Sequence, residues 1–237
     1  MIGPIFNIST SIGTLHESSL HAALKMWYKE SKDQLEVTID NYVIDIVRDD
    51  LLIEIQTRNF SSIKKKLKNL IENHRIQLIY PIIQDKWIIN IDSHSHRVIS
   101  DRLSPKHNSY VGIFEELISI PELILNPNFT IELPLIQIEE YRKNDGKGSR
   151  RRKGWSVYDR KLVKIIERKQ FYTPLDFLML KPVSLKTPFT NAELAYSLVK
   201  PLKLAQKMTY CLRKMGILKV VGKQGNFFIF DYEHNWL

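Results

Sequence analysis

The segment Tyr42–Gln56, YVIDIVRDDLLIEIQ, predicts two short apolar strands joined by a polar turn at Arg48-Asp49-Asp50. Each strand carries one carboxylate in a hydrophobic run, Asp45 in the first and Glu54 in the second. Gln56 follows Glu54 by two positions, so both side chains are expected on the same sheet face. Because a carboxylate in the middle of an apolar strand is costly to desolvate, two of them on adjacent strands predict a bound divalent cation.

Helices and strands are predicted to alternate around this hairpin. Apolar residues recur at helical spacing from Glu17 to about Tyr28, and Leu35–Ile39 alternates as a strand. After the hairpin, residues 60–74 have the period of an amphipathic helix, and Ile76–Ile83 is a continuous apolar run typical of a buried strand. The order α-β-β-β-α-β predicts an α/β fold with a mixed sheet and helices on its faces.

Basic residues are concentrated in the C-terminal part of the chain. The formal net charge is +9, divided into −3 for residues 1–134 and +12 for residues 135–237. This bias predicts a polyanion as partner, and the alternative is a solvated basic face. No apolar run is long enough to span a membrane, and the N-terminus lacks the pattern of a secretory signal. The single Cys211 excludes an internal disulfide, so a cytoplasmic location is expected.

The polar, glycine-containing stretch 141–154 predicts a basic linker between two domains, residues 1–140 and 155–237. The elements predicted after the linker are helices at Val157–Lys169, at the segment capped by Thr190 and at Leu202–Met215, and a hairpin around Gly222–Asn226. A short helix, a turn, a longer helix and a hairpin resemble a winged helix-turn-helix domain, whose usual partner is DNA. A protein contact or a dimer surface is the alternative for this part.

Side chains that suit phosphate binding are frequent in this region, because Lys and Arg neutralise the nucleic-acid backbone. The predicted DNA-binding residues are Arg150, Arg151, Arg152 and Lys153 in the linker, Lys200, Lys203, Gln206, Lys207 and Arg213 on or just before the longer helix, and Lys223 at the hairpin tip. Reading of specific bases is not indicated, because no arginine or asparagine cluster marks the start of the longer helix.

The N-terminal pattern resembles the PD-(D/E)XK nuclease superfamily, especially archaeal Holliday-junction resolvases and related restriction-type endonucleases. The resemblance covers about residues 14–92 and rests on Glu17 in the first helix, Asp45 in a core strand and, after eight further residues, Glu54-Ile55-Gln56. It implies a restriction-endonuclease-like αβββαβ mixed sheet. It also implies a Mg²⁺ or Mn²⁺ site held by Glu17, Asp45, Glu54 and the carbonyl of Ile55, and it extends the expectation to a homodimer.

Gln56 occupies the position at which this superfamily has a lysine that orients or activates the attacking water. Glutamine holds a water through hydrogen bonds but supplies no charge. Arg58 and Lys64 are the candidates for the missing charge. His16 and His21 flank Glu17 and are expected either near the substrate or on the helix surface.

The sequence therefore predicts a metal-dependent DNA endonuclease that hydrolyses phosphodiester bonds in duplex or branched DNA. Its catalytic residues would be Glu17, Asp45, Glu54 and Gln56. Two alternatives stay open. One is a DNA-binding or regulatory protein with a degenerate nuclease-like core, which Gln56 favours, and the other is a protein-interaction adaptor.

Overall fold

The structure, a computed structural model, describes residues 18–233 apart from the side chain of Arg151. The α-helices are α1 (Ser19–Tyr28), α2 (Phe60–Leu70), α3 (Phe114–Leu117), α4 (Asn191–Leu198) and α5 (Leu202–Lys214). The strands are β1 (Gln34–Ile39), β2 (Tyr42–Arg48), β3 (Leu51–Ile55), β4 (Arg75–Ile79), β5 (Ile82–Ile91), β6 (Val98–Leu103), β7 (Phe129–Asn144), β8 (Trp155–Phe171), β9 (Phe189–Thr190), β10 (Leu218–Gln224) and β11 (Phe227–Tyr232). The predicted α-β-β-β-α-β order is confirmed from α1 to β4. No helix in the described range is long and apolar enough to cross a membrane.

Strands β1 to β8 form one mixed sheet. β1, β2 and β3 form an antiparallel meander, whereas β3, β4 and β7 pair in parallel. β4 and β5 follow β7 in one register, because Ile79 pairs with Glu132 and Ile82 pairs with Leu135. Tyr80-Pro81 therefore interrupts what is otherwise one long strand. Pro134 of β7 lies at the level of this interruption, which explains how a central strand tolerates a proline.

Helices cover both faces of this sheet. α1 packs Leu20 and Leu24 against one face, in a core that includes Ile53 and Ile136. The opposite face carries α2 and α3, and its larger core continues through aromatic residues into α4 and α5. The C-terminal helices therefore share a hydrophobic core with the sheet instead of folding around a separate one.

The helix predicted at 157–169 is wrong, because Trp155–Phe171 is a strand that pairs with β7 along its whole length. The ladder shifts register around Val163, since Leu162 pairs with Ile138 but Lys164 with Gln137. This bulge brings Leu162 and Ile165 to the same side of the sheet, against the core under α1. Apolar residues three positions apart normally indicate a helix, but here a bulge in a strand produces this spacing. Residues 141–154, predicted as a linker, are the end of β7 and the loop to β8.

After β8 the chain forms a second, three-stranded antiparallel sheet in the order β10-β11-β9, with α4 and α5 between β9 and β10. The predicted caps are confirmed: the hydroxyl of Thr190 accepts the N–H of Glu193 at the start of α4, and Gly216 has a φ of +74° after α5. Cys211 is buried on α5, as expected for a core residue.

Candidate active site

The β2–β3 hairpin is paired only near its turn, where Ile46–Arg48 face Leu51–Ile53. Beyond these pairs, backbone groups of β2 and β3 form hydrogen bonds with side chains instead of with each other. The N–H of Ile55 donates to Asp45 Oδ2 at 2.8 Å, and the carbonyl of Val43 accepts from Lys66 Nζ at 2.6 Å. We call this region, residues 43–45 and 54–56, the open end of the hairpin. Charged side chains hold the two strands there.

Asp45 reaches this open end because the alternation of β2 breaks beside it. Residues two apart in a regular strand share a face, yet Ile44 packs in the core under α2 and Ile46 in the core under α1. The β1–β2 ladder also skips Asp45 and its neighbour Glu36, which has a φ of +55°. The irregularity directs the Asp45 carboxylate at the backbone of β3 instead of at either face.

His21, in the first turn of α1, contacts the same two residues. Its Nε2 lies 2.9 Å from the carbonyl oxygen of Ile55 and 3.3 Å from Asp45 Oδ2. Both oxygens are acceptors, so Nε2 is the nitrogen that carries a proton. The prediction left His21 either near the substrate or on the surface. The structure places it against two of the predicted metal-binding groups.

Lys66 of α2 contacts the second carboxylate. Its Nζ lies 2.5 Å from Glu54 Oε2, and the Glu54 side chain is only 10% exposed. Arg58 and Lys64, proposed from the sequence as sources of the missing charge, are exposed. Lys66 is partly buried, whereas Lys64, Lys65 and Lys68 are exposed. The helical period does not distinguish Lys66 from these neighbours; its contacts with β2 and β3 do.

The two carboxyl groups differ in their pKa. Burial and the negative charge of Asp45 raise the pKa of Glu54 from its ordinary 4.5 to about 7, against the effect of Lys66. Burial acts on Asp45 in the same direction, but the hydrogen bond and charge of His21 and the N–H of Ile55 hold the pKa of Asp45 below its ordinary value. Asp45 is therefore ionised at neutral pH while Glu54 is poised between its two forms, and an added cation would favour ionised Glu54.

Gln56 contacts the start of α2. Its Nε2 donates to the Asn59 carbonyl and to Ser62 Oγ, both at 3.2 Å. Ser62 and Lys66 are four residues apart and share a helix face, so Gln56 supports the helical turn that presents Lys66. Glu17, the predicted third carboxylate, lies outside the described residues, as does His16.

The oxygens of Asp45, Glu54 and Ile55 are the hard donors that Mg²⁺ and Mn²⁺ prefer. Each of the three already accepts from an N–H group or an ammonium, so each lies where positive charge is favourable. Within residues 18–233, no three His, Cys, Asp or Glu side chains come together as a metal-binding group. The donor set fits a hard cation only with the Ile55 carbonyl, or a residue outside that range, as a further ligand.

The predicted DNA-binding residues lie in two places. Arg150–Arg152 form a short 3-10 helix in the β7–β8 loop, with Lys153 directly after it. Lys203, Gln206 and Arg213 have exposed side chains along α5, and Lys200 lies in the turn before it. Lys207 bonds to Glu115 of α3 and so contributes to packing. Lys223 lies over the ring of Phe228, 5.0 Å from its centroid.

Comparison with known proteins relates the large sheet to a family. A family profile described as "Domain of unknown function (DUF8091)" matches residues 18–172, a range that ends one residue after β8. An uncharacterized protein of Treponema pallidum (strain Nichols) is 28% identical over 164 residues, which cover 68% of this chain and 64% of that relative's length. No solved structure matches the chain. Because the profile spans more than half of its residues, the chain belongs to the DUF8091 family.

Proposed function

We propose that this protein is a metal-dependent nuclease that hydrolyses phosphodiester bonds in DNA. The observation that carries the proposal is the meeting of Asp45, Glu54 and Lys66 at the open end of the hairpin. Two largely buried carboxylates and one lysine, brought there by β2, β3 and α2, combine metal-binding oxygens with a phosphate-binding cation. The α-β-β-β-α-β order around them supports the restriction-endonuclease-like core that the resemblance to the PD-(D/E)XK superfamily implies.

In this proposal Asp45, Glu54 and the carbonyl of Ile55 hold Mg²⁺ or Mn²⁺, with Glu17 as a further ligand. A bound divalent ion supplies Lewis-acid stabilisation of phosphate charge and lowers the pKa of a water. Lys66 provides the positive charge that Gln56 lacks and neutralises the phosphodiester next to the carboxylates.

The other residues of the site act through these groups. His21 positions Asp45 and the β3 backbone through its two contacts with Nε2. Gln56 supports the turn of α2 that carries Lys66 and is available to hold the attacking water through its remaining hydrogen-bonding capacity.

The C-terminal part supports a DNA substrate. Its β9-α4-α5-β10-β11 order resembles the order of elements in a winged helix-turn-helix domain, in which the second helix approaches the nucleic acid. Lys203, Gln206 and Arg213 are exposed on α5 and suit contacts with phosphates. Duplex or branched DNA is the substrate class that this charge favours.

A DNA-binding or regulatory protein without catalysis is the second candidate. The observation that favours it is that the oxygens of Asp45, Glu54 and Ile55 are already satisfied by His21, Lys66 and backbone N–H. Such a site is stable without a metal, and Gln56 lacks the charge of the lysine it replaces.

Cleavage assays separate the two candidates. Supercoiled plasmid, linear duplex and a four-way junction are incubated with Mg²⁺ or Mn²⁺ and with wild type, Asp45→Asn or Asp50→Asn. Asp50 lies in the exposed β2–β3 turn, so its variant is the matched control. We expect cleavage by wild type and Asp50→Asn, and a loss of at least about 100-fold in Asp45→Asn. If wild type binds every substrate and cleaves none, the second candidate holds.

A further inference from the structure

The end of β7, the loop 145–154 and the start of β8 form a β-hairpin, residues 141–159, that we call the basic arm. It contains seven Lys and Arg against two Asp, a net charge of +5 in 19 residues. The 78 residues that follow it contain fourteen against five, a net charge of +9. The positive charge that pointed to a polyanion is therefore densest on an arm of the large sheet, not on the C-terminal helices.

The tip of the arm has a defined structure. Asp145 accepts the N–H of Lys147 at 3.0 Å and the hydroxyl of Ser156 at 2.9 Å, which ties the loop to β8. A Cβ at Gly148 would lie 2.0 Å from the carbonyl oxygen of Trp155, so the loop closes only because glycine stands there. The exposed cations presented by this loop are Lys147, Arg150, Arg152 and Lys153. Cations on a preorganised loop lose less conformational entropy when they bind.

The root of the arm holds three cations around one carboxylate. Glu140 is 1% exposed and accepts from Arg142 at 2.6 Å, from Arg160 at 3.0 Å and from Lys86 at 3.2 Å. Because one negative charge faces three positive ones, the cluster has a surplus of positive charge. The three cationic side chains are 15–29% exposed, so an anion in solvent can reach them.

The root also lies beside the candidate active site. Ser19 Oγ, on the first residue of α1, donates to Asp159 of β8 at 2.7 Å, and His21 in the same helical turn contacts Asp45. From Asp159, which pairs with Tyr141, the β7–β8 ladder continues for about 10 Å to its last pair. A polyanion bound along the arm would pass close to the open end of the hairpin.

We propose that the basic arm is the element that docks the DNA substrate, an inference that rests on the proposed nuclease function and assigns the docking to the arm instead of the C-terminal helices. Only the tip extends beyond the pairing of β7 with β5, and its four exposed cations match the closely spaced phosphates of a DNA backbone. The tip cations contact phosphates, and the cations around Glu140 bind the stretch of backbone that leads to the carboxylates.

The inference is tested with the full-length chain, a labelled DNA duplex and EDTA, using fluorescence anisotropy over a range of salt concentrations. Three triple variants remove the same charge. The arm variant is Lys147→Ala, Arg150→Ala and Arg152→Ala; the C-terminal variant is Lys203→Ala, Arg213→Ala and Lys223→Ala; the control is Lys29→Ala, Lys32→Ala and Arg75→Ala, away from the arm.

We expect the arm variant to weaken binding by about tenfold or more and to reduce the salt slope by about one for each lost phosphate contact. The control is expected to change affinity by less than about threefold. The inference is overturned if the arm variant binds as well as the control, or if the C-terminal variant alone loses binding.

Working in EDTA keeps this inference separable from the proposed nuclease activity. Arm-dependent binding without cleavage in Mg²⁺ or Mn²⁺ would support docking by the arm and refute the nuclease function. Cleavage that depends on Asp45 but is unchanged in the arm variant would support the nuclease function and refute docking by the arm.

Discussion

Glu54 and Glu140 are two buried carboxylates of one sheet whose surroundings shift the pKa in opposite directions. Burial raises the pKa of both. The negative charge of Asp45 adds to that effect and brings the pKa of Glu54 to about 7, whereas Arg142, Lys86 and Arg160 bring that of Glu140 to about 2. At the open end of the hairpin the cations present do not offset the burial of Glu54, whereas at the root of the arm three cations face one carboxylate. The first environment favours a bound cation and the second a bound anion.

A nuclease needs both environments, because its substrate is an anion and its catalytic ion a cation. Each cluster is also part of the packed sheet, so changes to either one act on stability as well as on binding. For each variant, the effect on the free energy of unfolding must therefore be measured separately from the effect on binding.

Replacing Glu140 by Gln has the largest expected effect. The amide keeps the size of the side chain but leaves three close cations without their counter-charge, so we expect a loss of about 2–4 kcal/mol in the free energy of unfolding. This loss lies toward the lower end of what breaking a buried ion pair usually costs, because the three cationic partners are partly exposed. Urea unfolding at pH 7 measures it. Glu139→Gln is the matched control, because Glu139 bonds only to the neutral hydroxyl of Tyr141 among the contacts that the structure shows.

The pH dependence of the same variant has a defined sign. The pKa of Glu140 is lower in the fold than its ordinary 4.5, so its contribution is present above about pH 4.5 and is lost as the pH falls toward 2. Wild type should lose stability through that window more steeply than Glu140→Gln. If the free energy of unfolding falls equally with pH in the two proteins, the charge of Glu140 does not stabilise the three cations.

Replacing Lys66 by Met tests the opposite cluster. Removing the ammonium takes away the proposed phosphate contact, so cleavage should fall by about 10- to 100-fold. It also removes the group that lowers the pKa of Glu54, so the pH at which activity rises should move upward. Lys66→Arg should recover part of the activity and the original pH profile. A variant that merely disturbed α2 would lower activity without moving the profile.

Binding of Mn²⁺ should depend on pH because Glu54 must lose its proton to bind a metal. Its pKa of about 7 predicts an affinity that increases by about tenfold between pH 6 and pH 8, with release of one proton. The sign for stability is the reverse: a raised carboxyl pKa means that the metal-free fold loses stability as the pH rises from about 4.5 to about 7. Calorimetry in buffers of different ionisation enthalpy counts the protons. Glu54→Gln should abolish the release, and an unchanged count in that variant would assign the proton elsewhere.

The two carboxylates at the open end of the hairpin were predictable because the signal is local: each stands alone in an apolar strand next to a turn. Their partners were not, because His21 and Lys66 reach the site through the packing of two separate helices. The helical period of α2 gives no signal for Lys66, because it places Lys64 nearer the apolar face. His21 has no signal beyond its closeness to Glu17.

Strand β8 is an element whose type the sequence pattern predicts wrongly. Its apolar residues are spaced by three because of a bulge at Val163, and no local feature separates that pattern from a helix. Of the three cations around Glu140, Arg160 depends on β8 being a strand, since it lies directly opposite Glu140 in the ladder, whereas Arg142 is on β7 and Lys86 on β5. A sequence pattern that predicts a helix at β8 cannot predict the arm.

Arg75→Ala has the smallest expected effect and sets the baseline for the comparison. Arg75 pairs with Asp50 at 3.1 Å, but both side chains are more than 60% exposed, 62% and 68%. Water and salt screen such a pair, so its removal should cost less than about 0.5 kcal/mol in urea unfolding at pH 7. The arginine of this pair and those around Glu140 differ mainly in what they face, an exposed carboxylate or a buried one. If Arg75→Ala cost as much as Glu140→Gln, burial would not be what distinguishes the two clusters from ordinary surface charge.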